Sequence, residues 1–84
     1  MDAKSQLVLK RTLEHLRKIG PAGMAKADVL DMAELACGLM TTAEKDALWS
    51  LLEERRYVAG HYEPVTNVER WAVTERGLAA LGGL

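Results

Sequence analysis

The sequence predicts an α+β fold, mainly helical, with three helices, a two- to three-stranded antiparallel hairpin sheet and a short C-terminal helix. Three observations predict it. Two β-like runs, one opening at Tyr57-Val58 and one through Trp71-Ala72-Val73, flank the turn residues Pro64-Val65-Thr66-Asn67. The second run passes directly into Thr74-Glu75-Arg76-Gly77, a helix start rather than a loop. Upstream, three stretches carry apolar residues at spacings of three and four.

The first helix is expected from about Ser5 to Ile19, because Leu9, Leu13, Leu16 and Ile19 stack on one face. Gly20-Pro21 ends it. The second is expected from about Lys26 to Ala36, with Val29, Met32, Ala33 and Ala36 inward and Asp28, Asp31 and Glu34 off that stripe. Met24, just before it, offers one or two residues of a minimal strand. Gly38 suits the left-handed backbone of a helix end. Thr41-Thr42-Ala43-Glu44 is a capping box that opens a third helix reaching about Arg55, with Ala47, Leu48, Leu51 and Leu52 inward. Two helices joined by a four-residue turn containing Gly follow the helix-turn-helix plan. In the hairpin, Tyr57-Val58, Trp71 and Val73 point apolar groups inward. Thr74 caps a last helix carrying Leu78 and Leu81.

The 84 residues suffice for one small domain, burying about 60–65% of its unfolded surface. A hydrophobic share of 49% argues against disorder, and with no Phe the core must be mainly Leu, Val, Ala and Met. A single cysteine, Cys37, excludes an internal disulfide and reads as a small apolar group. The N-terminal residues lack the apolar stretch of a signal peptide, and no uncharged run nears the ~18 residues of a membrane span. The expected location is the cytoplasm. His15 and His61 are far apart with no partner at ligand spacing, and no phosphate loop or carboxylate pair is present. No enzyme, metal, cofactor or small-molecule substrate is expected.

The residues Leu52-Glu53-Glu54-Arg55-Arg56-Tyr57-Val58 and Trp71-Ala72-Val73-Thr74-Glu75-Arg76-Gly77-Leu78-Ala79-Ala80-Leu81, with the helix order, cover nearly the whole chain. In them the sequence resembles the winged helix-turn-helix superfamily, and small bacterial regulators of the MarR or PadR type. The resemblance implies that the third helix is a recognition helix and the hairpin a wing. The chain departs from that pattern in three places. Arg56 stands where the family commonly has Gly, which places a side chain in a left-handed conformation at ~1 kcal/mol. The segment Pro64 to Asn67 has no Arg or Lys, leaving Arg70 as the nearest cation. The extra helices through which such regulators dimerise are lacking.

A recognition helix turns its outer face to the major groove. Here that face carries Thr42, Asp46, Trp49 and Glu53, with Lys45 and Ser50 at its margins. The candidate DNA contacts are Thr42, Lys45, Trp49, Ser50 and Arg70. The opposing fact is charge: 11 Lys+Arg against 12 Asp+Glu give −1, with no cationic excess to meet phosphate. Trp49 reads either as a boundary residue leaning on the wing or second helix, or as a partner anchor in an acidic face with Asp46 and Glu53. The first helix is basic: Lys4, Lys10, Arg11, Arg17 and Lys18 stand against Glu14. That run reads as a solvated face or as a dock for an acidic surface. The leading expectation is a small DNA-binding transcriptional regulator, working as a homodimer. The alternative is a winged helix turned to protein–protein contact, as a subunit, adaptor or inhibitor of a larger complex, through Asp46, Trp49 and Glu53, through the wing, or through Lys10, Arg11, Arg17 and Lys18.

Overall fold

The computed structural model describes residues 2–84. The chain runs α1 (Ala3–Ile19), a single 3-10 turn (Gly20–Ala22), α2 (Lys26–Cys37), α3 (Thr42–Glu54), β1 (Val58–Tyr62), β2 (Glu69–Val73) and α4 (Glu75–Gly82). It is mainly helical with one two-stranded antiparallel sheet, an α+β arrangement.

Helix α1 begins two residues before the expected start because Asp2 caps it, its Oδ1 accepting the Ser5 amide at 2.7 Å. Its inward stripe is Val8, Leu9, Thr12, Leu13 and Leu16. Ile19 is exposed, since the chain turns away at Gly20 (φ 76°). Thr12 is fully buried and satisfied, its hydroxyl donating to the Val8 carbonyl at 2.8 Å. In α2 the buried set is Val29, Met32 and Ala33, and Ala36 is exposed against expectation. Gly38 (φ 96°) ends that helix. The expected capping box opens α3: Glu44 N–H donates to the Thr41 hydroxyl and Thr41 N–H to the Glu44 carboxylate, both at 3.1 Å. Leu48 and Leu52 face inward, Leu51 is half-buried, and Ala47 lies outside.

A tight corner joins α3 to the sheet. Arg56 takes the left-handed conformation (φ 56°), and its carbonyl accepts the Thr74 hydroxyl at 2.6 Å. The same hydroxyl oxygen caps α4 by accepting the Gly77 amide at 3.1 Å. A Cβ at Gly77 would stand 2.5 Å from the Tyr57 carbonyl oxygen, so only glycine lets α4 sit this close.

The strands pair from Val58↔Val73 to Tyr62↔Glu69, around a turn in which Asn67 has φ 55°. Met24 adds a one-residue bridge to the free edge of β2, exchanging backbone hydrogen bonds with Trp71 at 2.9 and 2.7 Å. The minimal strand expected at Met24 is therefore this bridge. Leu9, Leu13 and Leu16 of α1, Val29 of α2, Leu48 and Leu52 of α3, Val58 of β1 and Leu81 of α4 form one core. On α4, Leu81 reaches the core while Leu78 is 40% exposed.

Candidate functional site

Two faces of the molecule carry the residues singled out above. On α3, Thr42, Asp46, Ser50 and Glu53 are exposed on the outer surface. Lys45 is not free: its ammonium pairs with the Glu34 carboxylate, which also accepts the Met40 amide at 3.5 Å. This link straps the turn between α2 and α3. The ammonium holds the Glu34 carboxyl below its ordinary range, and the carboxylate holds Lys45 above its own. Arg70 is likewise engaged, its Nε 2.8 Å from a Glu63 oxygen at the base of the hairpin turn. That guanidinium, followed by Thr66, lowers the Glu63 carboxyl.

Of the two readings of Trp49, the structure agrees with the residue leaning on the hairpin and second helix, and the partner-anchor and DNA-contact readings are corrected. A helical wheel of α3 places it toward solvent, and it was a candidate contact in both binding readings. It is only 5% exposed. The hairpin folds back so that Trp71 meets it edge to face, with centroids 4.9 Å apart and planes at 90°. Lys26, in the first turn of α2, covers it with Nζ 5.2 Å from the ring centroid. The indole N–H donates to Glu53, which turns one of the expected acidic contacts toward the tryptophan. Trp49 is thus a core residue at the junction of α2, α3 and β2, and offers a partner no free ring.

What remains on the α2–α3 side is mainly anionic, with Asp28, Asp31, Asp46 and Glu53 exposed against Lys26. Beside it, Leu35 and Leu39 are almost fully exposed.

The second face lies on α1. Lys10, Arg11, Arg17 and Lys18 are exposed, and among the described residues none forms an ion pair. Lys4, by contrast, pairs with Glu44 at 3.1 Å across to α3. The unpaired cations crown a ridge between two shallow grooves. One, of ≈ 390 Å³, runs along α4 and has Leu7, Leu81 and Leu84 as its apolar walls, with Lys10, Arg11, Glu14 and Arg17 above them. The other, of ≈ 350 Å³, runs along α2 and includes Lys18, Met32 and Leu35. A third groove, of ≈ 420 Å³, separates the start of α1 from α3 and is lined by Val8, Met40, Leu48 and Leu51 beneath the Lys4–Glu44 pair.

Of the apolar walls, Leu7 was missed by sequence reasoning, although the signal existed. Leu7, Lys10, Glu14 and Arg17 are spaced three, four and three apart, so a leucine shares the basic face of α1. Leu84 is brought there only by α4. Among the described residues, no three His, Cys, Asp or Glu side chains gather where they could hold a metal ion. None of the helices there is long and apolar enough to cross a membrane. No protein-family model, curated protein or solved structure matches this chain.

Proposed function

We propose that this chain is a non-catalytic winged-helix binding module that works by contacting a protein rather than by reading DNA. The winged-helix reading is supported by the order of elements: helix, one-residue bridge, two helices across a short turn, hairpin, helix. It gains from Met24 lying on the edge of β2, which makes the sheet three-stranded at one residue.

The choice of partner is carried by one observation: the outer surface of α3 presents Asp46 and Glu53, while Lys45, the lysine of that helix, is engaged by Glu34. Breaking the Lys45–Glu34 or Arg70–Glu63 pair would cost little, since ion pairs that water reaches contribute little to stability. Their engagement alone therefore does not exclude phosphate. The deciding quantity is the number of carboxylates around them, with Asp28 and Asp31 of α2 adding to Asp46 and Glu53. A duplex approaching this surface would meet repulsion where a DNA-binding protein gains affinity by releasing counterions.

DNA remains the second reading, drawing on the same order of elements and on Lys26 beside α3. Fluorescence anisotropy of a labelled random-sequence duplex at about 50 mM salt separates the two. The protein-binding reading expects no saturable rise. Saturable binding that weakens steeply with salt and is lost on Lys45→Glu would establish the DNA reading in its place.

A further inference from the structure

We infer that the groove between α1 and α4 is a docking site for an acidic amphipathic helix of another protein. The inference rests on the protein-binding reading above and names where and what the module binds. Charge complementarity selects the occupant. Among the described residues, Lys10, Arg11, Arg17 and Lys18 stand unpaired on one ridge against a single acid, Glu14. The run from Lys10 to Lys18 covers about 12 Å of helix, roughly one and a half Debye lengths at physiological salt, so neighbouring charges on it reinforce one another.

A second copy of the chain seated isologously on this face would oppose like charges. Nucleic acid would satisfy the cations but gain nothing from the leucines. An anionic bilayer rewards a convex apolar face, and the apolar stripe of α1 is already spent in the core. The leucines that remain, Leu7 (46% exposed) and Leu84 (39%), wall a concave groove between two helices. Laying a third helix into such a groove is an established mode of peptide recognition. Lys10 and Arg17 lie seven residues apart, about 10.5 Å along the axis, so the incoming helix needs carboxylates two turns apart beside its own apolar stripe.

The test titrates the isotope-labelled chain, followed by NMR, with a synthetic helical peptide having a leucine stripe and Glu residues two turns apart. Parallel arms use the same peptide with Lys for Glu, duplex DNA, and vesicles of anionic phospholipid. Expected are shifts at the amides of Leu7, Lys10, Arg17, Leu81 and Leu84 with the acidic peptide alone. Affinity should fall at least about tenfold in Arg11→Glu/Arg17→Glu protein whose melting temperature is unchanged. Equal binding of the Lys peptide, an undiminished affinity of the double variant, no shift at all, or stronger binding to vesicles would overturn the inference. Acidic-peptide shifts at Lys4, Met40 and Leu51 would overturn the placement while sparing the protein-binding reading. Duplex-induced shifts along α3 would overturn that reading itself.

Discussion

Trp49 decides how the outer surface of α3 is understood. Its ring is enclosed by Trp71 and Lys26, and its N–H is used by Glu53. Replacing it with Ala should therefore cost about 3–5 kcal/mol, the range for removing a large buried aromatic side chain. Urea denaturation followed by circular dichroism measures this directly. A surface anchor would instead leave stability within about 0.5 kcal/mol of the parent. The position of Trp49 was not legible from its own helix, because the side chain that covers it lies 22 residues downstream in β2. Periodicity describes one element at a time. Arg56, by contrast, was expected to be left-handed only through the family resemblance, and its φ is 56°.

At the scale of elements, the caps are the legible features, because a cap is made by residues three apart. Thr41→Ala should lower stability by about 0.5–2 kcal/mol through loss of the hydroxyl that accepts the Glu44 amide. Thermal melts of the two proteins check it. Asp2 acts the same way on α1, but a lone Asp so near the chain start carries no periodic pattern behind it, so the helix start was placed late.

The carboxylates at these joints also set a pH dependence. Glu44 lies below its ordinary value of 4.5 because the Thr41 amide and Lys4 bind its charged form. Glu34 is lowered by Lys45, and Glu63 by Arg70. Each group binds protons less readily folded than unfolded. Their stabilisation is fully present above pH 4.5 and is lost as pH falls through the lower folded values. Melting temperature should thus be flat near neutrality and decline below pH 4.5. The decline should be smaller in Glu44→Gln, which has already forfeited its share. A melting temperature that rises on acidification would contradict the assignment of these pairs.

Across the whole molecule, a net charge of −1 conceals a partition: α1 is cationic on its outer ridge and the α2–α3 side is mainly anionic. The lopsided charge of α1 was visible in the sequence. Which cations are already engaged was not, because Lys45 meets Glu34 across a turn and Arg70 meets Glu63 across a hairpin. Leu84 reached the edge of the α1 groove only once α4 was in place. The order of helices and hairpin was therefore readable from local pattern, whereas the binding surface depends on contacts between distant segments.

The claim on which the functional account turns is that binding works through the α1 ridge and not through α3. It is tested most directly by recovering native partners on immobilised parent, Arg11→Glu/Arg17→Glu and Lys45→Glu proteins, each with and without nuclease. The same protein partner should be retained by the parent and by Lys45→Glu, be insensitive to nuclease, and be absent from the α1 double variant. Loss of the partner on nuclease treatment or on Lys45→Glu, with retention by the double variant, would contradict it.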